Sequence, residues 1–131
     1  MHENDIGRTI LDAAFHVHRT LGPGLLESVY ETVLAYELQK RALTVRRQVP
    51  ISITYEELTF DEGFRADLIV SDAVIIELKS VAQLAPVHRK QLQTYLRLSG
   101  LKLGYLINFG EALLRDGIVR VVNGLEEEPV A

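Results

Sequence analysis

The chain has no cysteine, no tryptophan, one methionine and only four prolines in 131 residues. Without cysteine there can be no disulfide and no thiolate chemistry, a composition that fits a cytoplasmic protein. No apolar run approaches the roughly 20 residues that cross a bilayer, and the opening MHENDIGRT does not have the pattern of a signal peptide. Glycine-rich phosphate loops, a Ser-His-Asp set and zinc-ligand clusters are absent, as are repeats, low-complexity segments and linkers. Positive charge is the scarcer sign: 14 Lys and Arg against 18 Asp and Glu give a net charge of −4. That balance argues against a protein that simply coats nucleic acid. What remains is an ordinary globular composition, 47% hydrophobic and 24% charged, expected to form one domain over 1–131.

Periodicity supplies the elements. Ile6, Ile10, Ala13, Ala14, Val17 and Leu21 recur at helical spacing from about Asp5, with Asn4 or Asp5 as N-cap, until Gly22-Pro23-Gly24 breaks the helix. A second helix is expected from about Leu25 to Arg41. VRRQVPISITYE alternates and is rich in β-branched residues, with Pro50 marking an edge strand or a bulge. Leu58–Phe60 and Phe64–Val70 around Gly63 form the next strand, and Val74–Lys79 the third. Pro86 opens a helix that Gly100 closes after Ser99. Leu103–Asn108, continuously apolar, is a strand buried on both faces, and Gly117–Val122 is a short fifth strand. The tail GLEEEPVA reads as frayed. The order α-α-β-β-β-α-β-β implies an α+β domain, a mixed sheet of four to five strands flanked by helices.

The most informative stretch is FRADLIVSDAVIIELKS. Asp67, Glu77 and Lys79 stand in the most apolar part of the chain, where unpaired charge is costly and carboxylates survive by pairing or by holding a metal. Alternation puts Glu77 and Lys79 on one face of their strand and Val74, Ile76 and Leu78 on the other. Together the three form a candidate site for a hard divalent cation and an activated water. The reading carries a condition on register. A two-residue loop at Ser71-Asp72 pairs Asp67 with Ile76 and separates the carboxylates, whereas a three-residue loop through Ala73, or a bulge, sets Asp67 across from Glu77.

Other polar positions have two readings each. Glu27, with Gly24 as N-cap, falls at the third helical position, where an acid favours the helix dipole; it could equally be a third carboxylate aimed at a metal. Local chemistry favours the first. Gln91 and Tyr95, four apart on the third helix with His88 a turn earlier, form either a polar flank or the wall of a pocket. His16 and His18 diverge on their helix and serve packing or surface. Asn108-Phe109-Gly110 reads as a strand end and turn, and Asp61, Glu62 and Asp72 as turn acids. Arg41, Arg46, Arg47, Arg89, Lys90, Arg97 and Lys102 fall in two stretches that could line a groove for a polyanion, or could be solvated faces.

LGPGLLESVYE, FRADLIV, VIIELKS, HRKQLQTYL and LGYLINFG, in that order from about Asp5 to Asn123, resemble the GxxExxY proteins of the PD-(D/E)XK nuclease superfamily. The resemblance implies a restriction-endonuclease-like α-β-β-β-α-β core after one extra helix. It implies metal binding by Asp67, with Ala66 standing where the superfamily's motif has proline, and makes Glu77 and Lys79 the (D/E)XK pair. It assigns Glu27 the acidic position of the first core helix, reversing the local preference, and Gln91 and Tyr95 the QxxxY positions. The implied activity is Mg²⁺- or Mn²⁺-dependent hydrolysis of nucleic-acid phosphodiesters, DNA before RNA. Asp67, Glu77, the Leu78 carbonyl and Glu27 would hold the metal, and Arg46, Arg47, Arg89 and Lys90 would contact phosphates. No membrane is involved, and so small a domain is compatible with a homodimer on a duplex. The rival reading is a non-catalytic nucleic-acid-binding or protein-interaction module on the same fold.

Overall fold

A computed structural model of the protein describes residues 1–126; the last residues of the tail expected to fray, 127–131, lie outside the described part. The first helix, α1 (Glu3–Leu21), buries Ile6, Ile10, Ala13, Ala14 and Val17 of the stripe expected from spacing, while Leu21, at its last turn, is exposed. It starts earlier than Asn4 or Asp5 would allow as cap, because the His2 imidazole accepts the Asn4 N–H at 3.0 Å and fills the capping role.

The second helix, α2 (Glu27–Lys40), also departs from expectation. Leu26 is its N-cap, so Glu27 is the first helical residue, not the third, and Gly24 (φ 98) lies outside the helix. Tertiary bonds explain the late start. The Tyr30 hydroxyl donates to the Gly22 carbonyl at 2.5 Å and accepts the Leu25 N–H at 3.1 Å, while Ser80 Oγ donates to the Leu25 carbonyl at 2.6 Å. These contacts hold Leu25 in the loop and leave Glu27 to open the helix.

Five strands follow in one sheet with spatial order equal to chain order: β1 (Val45–Tyr55), β2 (Leu58–Val70), β3 (Val74–Lys79), β4 (Leu103–Asn108) and β5 (Ile118–Val122). All neighbours are antiparallel except β3 and β4, which are parallel and joined through the third helix, α3 (Pro86–Ser99). A parallel pair needs such a crossover. β1 is an edge strand, as Pro50 requires, and β2 carries a bulge opposite Ile51–Ile53. Gly63 lies in that bulge because a Cβ there would overlap the Ile53 side chain. A 3₁₀ turn at Leu114–Gly117 precedes β5, which starts one residue later than expected.

The sheet is the middle of three layers. On one face Leu68, Val70, Val74, Ile76, Leu78 and Tyr105 pack against α1 and α2. On the other Ile69, Ile75 and Leu106 pack against Leu92 and Leu96 of α3. β4 is buried at every position, as its continuous apolar run foretells. α3 ends at Gly100 in the left-handed conformation, and the Ala85 N–H donates to His88 Nδ1 at 3.1 Å, which gives His88 a role in starting the helix.

Candidate metal centre

The β2–β3 register is Val70↔Val74, Ile69↔Ile75, Leu68↔Ile76, closed by the three residues Ser71-Asp72-Ala73. Ser71 and Asp72 supply the left-handed backbone of the turn, with φ of 52 and 53. The next step of that register sets Asp67 opposite Glu77, the condition on which the site depends.

At that step the backbone ladder opens and the carboxylates take its place. The Asp67 N–H donates to Glu77 Oε1 at 3.3 Å, and the Leu78 N–H donates to Asp67 Oδ2 at 2.8 Å. A residue in a strand sends its N–H and C=O to the same side, so the Leu78 carbonyl faces the same opening. Burial, reinforced by the neighbouring charge of Asp67, pushes the Glu77 carboxyl up to about 9, and Lys79 offsets this in part. Lys79 is half-buried two residues along the same strand. Behind it, the fully buried Asn108 ties the end of β4 to the segment after β3. Its Oδ1 accepts the N–H of Val81 and of Gly110, each at 3.0 Å, and its Nδ2 donates to the Val81 carbonyl at 2.9 Å. Asn108 is thus more than a strand end.

A cleft of 280 Å³ opens over this place, lined by Glu27, Ser28, Glu31, Gln48, Asp67 and Leu78. Glu27 is exposed at its rim. Among the described residues no three His, Cys, Asp or Glu side chains come close enough to share one ion. Glu27 therefore stands apart from the Asp67–Glu77 pair. The pair's chemistry nonetheless fits a hard divalent cation. Two half-buried carboxyl groups face each other, and one, Glu77, has its charged form strongly disfavoured, a penalty that a cation would relieve.

From the far side Tyr95 of α3 stacks on Phe64 (ring centroids 4.1 Å apart, planes at 4°). Burial, then the charges of Glu77 and Asp67, raise the Tyr95 hydroxyl above its ordinary range, so the ring lies within reach of the acidic pair's field. Gln91, one turn earlier, is exposed. The basic residues are dispersed. Arg46 pairs with Asp72 at 2.8 Å, the Arg47 fork is held by Glu31, and Arg89 and Lys90 are exposed on α3.

A sequence model of the PD-(D/E)XK nuclease superfamily matches residues 4–121, from α1 to within one residue of the end of β5. The chain belongs to the PD-(D/E)XK nuclease superfamily. No curated protein and no solved structure matches it. The three layers and the mixed five-stranded sheet are those of the restriction-endonuclease-like fold that membership implies. In this PD-(D/E)XK chain three cleft residues escaped sequence reading: Ser28, Glu31 and Gln48. Glu31 follows Glu27 by four residues, a spacing that puts both on one helix face and was a usable signal. Gln48 gave no signal, because its place in the cleft depends on an irregular backbone in β1.

Proposed function

We propose that this chain is a divalent-metal-dependent nuclease of the GxxExxY type that hydrolyses nucleic-acid phosphodiesters, DNA before RNA. One observation carries the reading: Asp67 and Glu77 meet where the β2–β3 ladder opens, and Asp67 lines an accessible cleft there. Nucleases of this superfamily typically use divalent metals. Asp67, Glu77 and the Leu78 carbonyl would hold Mg²⁺ or Mn²⁺ through hard oxygen ligands, and Glu27 would join them only if the rim of the cleft closes on the ion, since it stands apart from the pair here. Such a cation supplies Lewis acidity, acidifying a water and drawing charge from the attacked phosphate. Glu77 gives up its proton as the cation is taken, since only the carboxylate is a ligand. Lys79 positions the attacking water and offsets the charge that develops on the phosphate. Gln91 orients the phosphate, and Tyr95, braced by Phe64, closes the wall beside it. Arg46, Arg47, Arg89 and Lys90 contact backbone phosphates, which positions the strand without reading its sequence. A homodimer would extend the grip of so small a domain on a duplex.

The test is incubation with single-stranded, duplex and branched DNA, and with RNA, in Mg²⁺ or Mn²⁺. Cleavage of at least one substrate is expected, and Lys79→Met should reduce it by roughly 10²–10³-fold while leaving the fold intact. Unchanged cleavage in Lys79→Met removes Lys79 from the chemistry. No cleavage of any substrate, with no response of the melting temperature to metal, supports the non-catalytic module instead.

A further inference from the structure

Gln48 lies in mid-strand and is exposed, yet its backbone is left-handed, with φ 50. The β1–β2 ladder passes from Arg47↔Leu68 to Val49↔Ala66 with no pairing of Gln48 and Asp67 between them. A non-glycine residue stays in this conformation only where its surroundings over-determine it. Here two side-chain bonds do so. Gln48 Nε2 donates to Glu31 Oε1 and, at 3.3 Å, to Asp67 Oδ1.

Glu31 is itself anchored. It is 8% exposed, and its Oε2 accepts Nε and Nη2 of Arg47 at 3.1 and 2.9 Å. Arg47 Nη2 also donates to Thr32 Oγ1 at 2.7 Å. The Asp67 carboxylate is therefore gripped on both oxygens, one by the Leu78 N–H of β3 and the other by an amide that α2 holds in place. From this geometry we infer that Gln48, held by Glu31, is a positioning residue that fixes the orientation of the Asp67 carboxylate. Its consequence for cation binding rests on the metal-site reading above, but the bond network does not.

This role accounts for the irregular backbone. In a regular strand the Gln48 N–H and C=O would join the β2 ladder; the left-handed turn gives up that pairing and leaves the amide bridging Glu31 and Asp67. A mere tie between α2 and β1 would need only Arg47 and Glu31, which meet without it.

Gln48→Met keeps the length of the side chain and removes both donors. In the metal-free full chain, hydrogen exchange at the Leu78 amide should then accelerate, because the Asp67 carboxylate that accepts its N–H is no longer fixed at its other oxygen. The other β3 amides should keep wild-type rates. Gln48→Gly should give the same Leu78 result with global stability equal or higher, because it also relieves the left-handed backbone. Titration calorimetry with Mn²⁺, without nucleic acid, should show affinity reduced by roughly 10–100-fold in both variants. Unchanged Leu78 exchange overturns the inference, and so does acceleration spread evenly over β1, β2 and α2, which would mark a purely structural tie. If the wild type binds no Mn²⁺, the cation reading fails, and Leu78 exchange still decides the positioning role.

Discussion

Glu77 sits where the burial of a strand conflicts with the hydration that a carboxylate needs. Burial first, then the charge of Asp67, carry its carboxyl from 4.5 up to about 9. The folded state therefore binds this proton more tightly than the unfolded chain does. Its stabilising contribution is complete below 4.5 and is lost as pH rises to about 9. The metal-free protein should accordingly melt at progressively lower temperature from about pH 5 to about pH 9. Glu77→Gln, neutral throughout, should flatten that slope, as thermal scans at constant ionic strength would show. A wild-type melting temperature that climbs across the window would mean that Glu77 ionises freely. Asp67, Glu77 and Lys79 were legible in sequence because charge inside an apolar strand is conspicuous. Gln48 was not, since a glutamine in a strand is unremarkable until its partners are known, and Glu31 left only the four-residue spacing from Glu27 as a signal.

The ends of α2 determine what the cleft receives. At its start, the Tyr30 hydroxyl holds the Gly22–Leu25 loop, and the ring stacks on Phe109 at 4.5 Å. Tyr30→Phe keeps the stack and removes the hydroxyl, so it should cost about 1–2 kcal/mol in chemical denaturation. It should also weaken metal binding by loosening the approach to Glu27; a variant with wild-type stability would show that water replaces the hydroxyl without loss. At the other end Ala42 follows the helix with φ 64, while the Leu43 N–H returns to the Leu38 carbonyl at 3.1 Å. Glycine suits this position better than alanine. Ala42→Gly should stabilise the protein by about 0.5–1 kcal/mol, and a lower denaturation midpoint would contradict that. Spacing located α2 well in its interior. Its first residue was misplaced because contacts with Ser80 and Tyr30, distant in the chain or across a turn, outweigh local capping preference.

At the scale of the molecule, three layers carry the site on their rigid middle. β3 has β2 and β4 on its flanks and helices on both faces, so the Asp67–Glu77 pair cannot separate to escape its own repulsion. Below about pH 9 the Glu77 proton relieves it, and on the proposed reading a cation would take the proton's place. Mn²⁺ or Mg²⁺ at about 100 times its dissociation constant should add roughly 2.7 kcal/mol of stability. At a fixed metal concentration the rise in melting temperature should be larger at pH 8 than at pH 6, because removing the Glu77 proton costs less as pH approaches about 9 and the apparent affinity is tighter. Asp67→Ala should abolish it. A rise that persists in that variant would place the ion elsewhere.

By itself the sequence determined the elements, their order, the apolar faces and the three charged residues of the β2–β3 hairpin, because each is written in local periodicity. It also posed the register as a choice between two loops. Only the tertiary structure decided that choice. It took the left-handed backbone at Ser71 and Asp72, and α2 and β1 packed beside the opened ladder, to bring Asp67 to Glu77. The same packing brought Gln48 to Asp67 through Glu31. Hydrogen bonds between residues far apart in the chain leave no period in a sequence, and the cleft is made of them.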